Sequence, residues 1–296
     1  MGNVSVGAEQ DDRVNRGQPR EDDLSVLSRS RDWHDRRKAA WNRSTPVETL
    51  KVLSKDKVQW VREAVAGNVR CPEEILALLA RDADGFVRAA VAINQKTPAH
   101  ILDELAGDEM TDYDYTINKN RYLVREAAAR NPQIDLDALS ALSSDQDEHV
   151  RSAAASNPQM PPGLLDKLSR DASWMVRDKV ARNSATPEDL LNYLSADRIM
   201  DVRASVALNA RTPLTALAEL ASDKSWKIKK TVAKNPQSKA KILKKLSLHW
   251  AWRVREAVAL NPNTPMTIIE KLADDPDQSV ALASRRRMAK TRPQRP

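Results

Sequence analysis

The chain has 296 residues, 41% hydrophobic and 30% charged, with 7 Gly, 1 Phe and a formal net charge of +7. So few glycines and aromatics argue against a sandwich, a barrel or a doubly wound sheet, which need many tight turns, and they leave no glycine-rich phosphate loop. A single cysteine, Cys71, excludes disulfide frameworks and multi-cysteine metal sites, and no apolar run approaches the ~18 residues of a membrane span. A soluble, cytoplasmic protein with no membrane contact is expected.

Residues 1–31 read as a flexible polar tail, because Gln, Asp, Arg and Ser dominate and no apolar stripe forms. From 32 to 280 the chain repeats. An Asn recurs at Asn42, Asn68, Asn94, Asn131, Asn157, Asn183, Asn209, Asn235 and Asn261, in steps of 26 with one step of 37. Nine copies therefore share one period, and one carries 11 extra residues near 109–123. Two residues before each Asn stands an Ala, from Ala40 to Ala259, where two helices must approach closely. Seven before it, Val61, Val87, Val124, Val150, Val176, Val202, Ile228 and Val254 open the apolar stripe of a helix. The Asn itself suits a left-handed helix-ending position. Three residues on, Thr-Pro, as in Thr186-Pro187 and Thr264-Pro265, reads as an N-cap and a first-turn proline of a second helix. That helix buries Leu50, Leu76, Leu102 and their equivalents, with a Leu three further on in every copy. Neither helix can bury its face alone, so the copies must stack into an all-α solenoid of about nine two-helix repeats.

The pattern Val-Arg-x-Ala-Val-Ala-x-Asn-Pro-x-Thr-Pro, nearly whole from Val254 to Ile269, resembles the leucine-rich repeat variant family of bacterial proteins. The resemblance covers roughly residues 32 to 280. It implies a right-handed superhelix of α-helices alternating with short or 3₁₀ helices, without β-sheet. Some members carry an N-terminal cysteine cluster for an iron–sulfur centre. This chain lacks those cysteines, so no cofactor is carried over. The spacing of Asp and Arg also resembles HEAT repeats, which are mostly binding scaffolds.

One position after each Val lies Arg36, Arg62, Arg88, Arg125, Arg151, Arg177, Arg203, Lys229 or Arg255. An acid stands six residues earlier in most copies, and His249 replaces it in one. The series reads either as a nucleic-acid track or as structural ion pairs within or between repeats, and its constancy favours the pairs. Function is then sought where copies differ. Trp33, Trp174, Trp226 and Trp252 share one phase in the loop before the Val-Arg helix, where they either pack on a neighbouring helix end or anchor a partner. The insertion emerges on the same edge and holds Tyr113 and Tyr115, as a binding loop or a tolerated one.

From 221 to 296 there are 18 Lys plus Arg against 6 Asp plus Glu. Lys230, Lys234, Lys241, Lys244 and Lys245 lie in one acid-free run, and Arg285, Arg286 and Arg287 belong to a basic tail over 281–296 expected to be disordered. The cluster is either a solvated face or an electrostatic footprint for nucleic acid or an acidic protein.

No His-x-x-x-His pair, nucleophile elbow or paired-carboxylate motif is present, so neither a metal site nor a catalytic residue is assigned. Helical-repeat DNA glycosylases are enzymes on a similar frame, but the Asn-Pro-x-Thr-Pro signature does not mark them. Cys71 stands at the Thr phase and reads as a substituted cap residue. The expectation is a non-enzymatic scaffold for a protein partner, held by variable surfaces and the Trp/Tyr edge. The alternative is DNA or RNA held by the basic C-terminal third.

Overall fold

The computed structural model of the protein describes residues 21–114, 119–121 and 123–291. It divides into two compact units, Met1–Thr97 and Pro98–Pro296, each taken by itself below. The first holds α1 (Glu21–Ser28), α2 (Trp33–Trp41), α3 (Val47–Leu53), α4 (Gln59–Ala66), α5 (Glu73–Leu79) and α6 (Gly85–Ile93). The second opens with α7 (Ala99–Ala106), the strands β1 (Asp112–Asp114) and β2 (Lys119–Arg121), and α8 (Leu123–Arg130). It continues with α9 (Leu136–Leu142), α10 (Glu148–Ser156), α11 (Pro162–Ser169), α12 (Trp174–Arg182), α13 (Glu188–Ser195) and α14 (Met200–Leu208). The remainder is α15 (Leu214–Leu220), α16 (Trp226–Lys234), α17 (Ala240–Leu246), α18 (Trp252–Leu260), α19 (Met266–Leu272) and α20 (Gln278–Thr291).

Each unit is a helical solenoid. Within each unit the even-numbered helices form a row, and in the first unit α2, α4 and α6 pack in turn. In the second unit the row runs α8, α10, α12, α14, α16, α18 and α20. The Ala phase makes this row possible. Ala155, Ala181, Ala207 and Ala233 are fully buried where a larger side chain would hold adjacent helices apart. The odd-numbered helices form the second row and bury Leu139, Leu165, Leu191, Leu217 and Leu243 against the first.

Three local expectations need correction. Asn183 does not adopt a left-handed conformation: its φ is −65° and ψ 130°, an extended backbone, and the equivalent Asn residues match it. The Thr before Pro is not an N-cap either. Pro187 holds that position without a side-chain cap, while Thr186 turns back and donates its hydroxyl to the Val180 carbonyl at 2.5 Å. Thr45, Thr97 and Thr264 do the same to Ala39, Val91 and Val258, so this phase ties the end of one helix to the start of the next. The insertion, finally, is not free of β-structure. β1 and β2 pair antiparallel, with Asp112 opposite Arg121 and Asp114 opposite Lys119.

The ends also differ from the reading of flexible tails. Residues 21–28 form α1, which packs on α2 and fully buries Leu24, and so covers the exposed end of the first repeat. At the other end, 281–291 continue α20 rather than forming a disordered stretch. Val280 and Ser284 are fully buried there, so this helix closes the row. Residues 1–20 and 292–296 lie outside the described residues.

Candidate functional site

The repeat-constant polar residues are consumed by the scaffold. Asn183 Nδ2 donates to the carbonyls of Ala155 at 2.9 Å and Asn157 at 2.8 Å, one repeat back, and its Oδ1 accepts from the Ala185 amide at 2.8 Å. The same bonds recur at Asn157, Asn209, Asn235 and Asn261. An Asn is required because one side chain must donate twice and accept once in a buried place. A second ladder runs beside it. Arg177 places Nε 2.6 Å and a terminal nitrogen 3.1 Å from the two oxygens of Asp197, twenty residues on in the next repeat. Its other terminal nitrogen donates to the Asp171 carbonyl at 2.8 Å.

The same fork joins Arg36 to Asp56, Arg62 to Asp82, Arg151 to Asp171, Arg203 to Asp223 and Arg255 to Asp275, and Arg125 pairs with Asp145. Burial alone would raise the Asp197 carboxyl above its usual range. Hydrogen bonds from Arg177 and from the Ile199 amide outweigh it and hold the group below that range. The Arg series is thus structural, and it pairs between repeats. Cys71, at the Thr phase, is fully buried and its thiol is pushed up to about 12 by desolvation, which leaves it inert.

The candidate partner-binding residues all belong to the second unit. Trp174, Trp226 and Trp252 are the first residues of α12, α16 and α18, not members of the preceding loop. Trp174 is exposed, whereas Trp226 and Trp252 are half-buried. The Arg253 guanidinium lies 4.4 Å from the Trp252 ring centre and 5.8 Å from that of Trp226, bridging the two. Tyr113 falls in β1, and Tyr115 lies outside the described residues.

The basic candidates are split between rows. Lys230 and Lys234 sit on α16, whereas Lys241, Lys244 and Lys245 are exposed on α17 in the other row. Lys245 reaches back to the Ser222 hydroxyl at 2.5 Å. Lys241 and Lys244 line a shallow groove with Lys271, Leu248 and Ile268. Arg285 donates to the Ala273 carbonyl at 3.0 Å, and Arg286 is exposed on α20. Arg287 is a structural residue. It stands 26 residues after Asn261 and donates to the carbonyls of Ala259 and Asn261, taking over the Asn role in the last turn of the ladder.

Sequence reasoning passed over the most exposed apolar groups in this region. Leu248 is 83% and Trp250 78% exposed, in the connection between α17 and α18. In the chain they stand just before Trp252 and Arg253, whose cation–π group also takes in Trp226. The signal for Trp250 was available: it stands outside the Trp phase, so repeat packing does not account for it.

The leucine-rich repeat variant family model matches residues 122–147 and 252–277. Both stretches are whole 26-residue copies, and the seven other copies carry the same Ala, Asn and Leu phases. In these two copies the chain is similar to the leucine-rich repeat variant family. Among solved structures, a leucine-rich repeat variant with a novel repetitive structural motif is 26% identical over 86% of this chain and 82% of that one, with a TM-score of 0.44. A designed armadillo repeat protein is 18% identical over 90% of this chain and 96% of its own, with a TM-score of 0.20. Another designed armadillo repeat protein, in complex with the peptide (KR)4, is 17% identical over 91% and 98%, also with a TM-score of 0.20. No curated protein matches. Among the described residues, no helix of this repeat protein is long and apolar enough to cross a membrane.

Proposed function

We propose that this repeat protein is a non-enzymatic scaffold that holds a protein partner through Leu248, Trp250, Trp226, Arg253 and Trp252. The observation that carries the reading is the exposure of Leu248 and Trp250 just ahead, in the chain, of a Trp–Arg–Trp group, while the repeat-constant polar residues are tied up within the array. Aromatic and Arg side chains at the centre of an exposed apolar cluster are what interface anchors consist of. A second reading, DNA or RNA on the basic third, draws support from the stretch 224–255, which holds eleven Lys plus Arg and no acid.

The test is capture from nuclease-treated extract of the source cell with the wild-type chain and with Leu248→Ser/Trp250→Ala, both checked for equal melting. A defined protein held by the wild type and lost by the variant is expected. Retention of only nuclease-sensitive material, or equal capture by the two chains, would refute the reading.

A further inference from the structure

In the odd-numbered row of the second unit, neighbouring repeats touch through pairs of side chains 23 residues apart. Lys167 Nζ donates to the Ser144 hydroxyl at 2.7 Å, and Lys245 Nζ donates to that of Ser222 at 2.5 Å. At the same spacing the Arg170 guanidinium lies 5.1 Å from the centre of the Tyr193 ring. The pair that follows Ser222 and Lys245 is Leu248 and Lys271. Leucine has no acceptor, and Lys271 makes no hydrogen bond or ion pair among the described residues. The two side chains instead line a groove of about 460 Å³ between α17 and α19. Lys241 and Lys244, one turn apart on α17, line the same groove and are likewise unpaired among the described residues. Ile268 and Pro265 add apolar surface, and no acid lines it. The groove between α13 and α15 is built differently. Glu188 and Arg211 give it charge of both signs, and Thr215 bridges it to Asn192 at 2.7 Å.

We propose that the α17–α19 groove is the docking site for an acidic segment of a protein partner. One apolar side chain of that segment covers Leu248 and Ile268, and flanking Asp or Glu carboxylates reach Lys241, Lys244 and Lys271. The proposal rests on the scaffold reading above and names the chemistry of the partner. Charge complementarity carries it: three ammonium groups around one apolar patch repel one another, and the chain itself puts no carboxylate in the groove to relieve them. Burying the exposed Leu248 adds the apolar half of the recognition. A single-stranded nucleic acid is the weaker fit, because its bases stack on aromatic faces and no aromatic side chain lines this groove.

The discriminating variant is Leu248→Ser, which gives Lys271 the hydroxyl that Lys167 and Lys245 have and removes the apolar anchor. Leu248 is exposed, so the melting temperature is expected to equal or exceed that of the wild type, and loss of folding does not confuse the outcome. The probe is a labelled, acetylated peptide with a single Leu between runs of Glu. Peptides with Gln in place of Glu, or Ser in place of Leu, and a thymidine oligonucleotide are the comparison arms. Binding is measured at about 0.1 M salt, where charges more than about 10 Å apart are largely screened. The wild type should prefer the Glu–Leu peptide to every comparison arm. Leu248→Ser and Lys241→Gln/Lys271→Gln should each weaken that binding about tenfold. Lys230→Gln/Lys234→Gln, on α16 in the other row, should leave it unchanged. No binding of the Glu–Leu peptide, no preference for Glu over Gln, full binding by Leu248→Ser, or preference for the oligonucleotide would overturn the proposal. If Leu248→Ser/Trp250→Ala loses the captured protein but Lys241→Gln/Lys271→Gln keeps it, the scaffold reading stands and the acidic docking site falls. Lysine-dependent peptide binding with equal capture by the two chains of the capture test would support the groove and sink the wider scaffold reading.

Discussion

At Asn183 three hydrogen bonds converge on one buried side chain, and two of them cross to the preceding repeat. Asn183→Ala leaves two carbonyls and one amide short of a partner, at an expected cost of at least about 2 kcal/mol in urea unfolding. An unchanged midpoint would show that solvent replaces these bonds. The Asp residues of the other ladder set the acid limit. Asp56, Asp82, Asp171, Asp197, Asp223 and Asp275 are all held below the ordinary carboxylate range, the Arg fork and an amide overcoming the burial that would raise them. Their folded pKa lies below the unfolded value of about 3.9, so the stability they contribute is complete above that pH and is lost as pH falls through the folded values. Stability measured from pH 6 down to 2 should therefore drop below about pH 4, and Asp197→Asn should show a shallower drop than the wild type. A parallel pair of pH profiles would remove Asp197 from this account.

Among the elements, the connection between α7 and α8 is the one that departs from the repeat. Its pairing is local, since β1 meets only β2 in the sheet. The ordinary copies connect their helices with 11 fewer residues. Deleting 109–119 is thus expected to leave helical circular dichroism and melting within a few degrees of the wild type. Loss of cooperative melting would mean that the hairpin braces α8. The helices themselves were legible from sequence because two periodicities, 3.6 within a helix and 26 between copies, agree at every Leu and Ala phase. Which residue capped them was not. Thr-Pro fits an N-cap by composition, but the Thr hydroxyl turns back to the end of the preceding helix, to Val180 O in one repeat, instead.

For the molecule as a whole, stability in a repeat array is a sum of units and nearest-neighbour interfaces, so the ends decide where opening begins. Arg287 closes the second unit by bonding the same two carbonyl phases that the repeat Asn residues bond, and it also reaches the carbonyls of Pro262 and Thr264. Desolvation lowers its pKa, a charge retained for the bonds it makes. Arg287→Ala should raise hydrogen exchange in α18, α19 and α20 by about tenfold or more while leaving α10 and α12 unaffected. Uniform change across both regions would contradict nearest-neighbour behaviour.

The sequence by itself determined the period, the two-helix unit, the all-α class, the buried Leu and Ala phases and the structural character of the Arg series, because each is a pattern repeated nine times and repetition reports packing. It also shows Lys229 where the other copies have Arg and His249 where most have Asp. Only the tertiary structure decided how the members of each ladder pair. An Arg pairs with the Asp twenty residues ahead rather than with the one six residues behind, because the fork must cross to the next helix of its row to find two oxygens in plane. The same holds for Asn183, whose carbonyl acceptors lie 26 and 28 residues back. Local propensity reads a residue against its neighbours in the chain, and in a stacked array the neighbours that matter most are one repeat away.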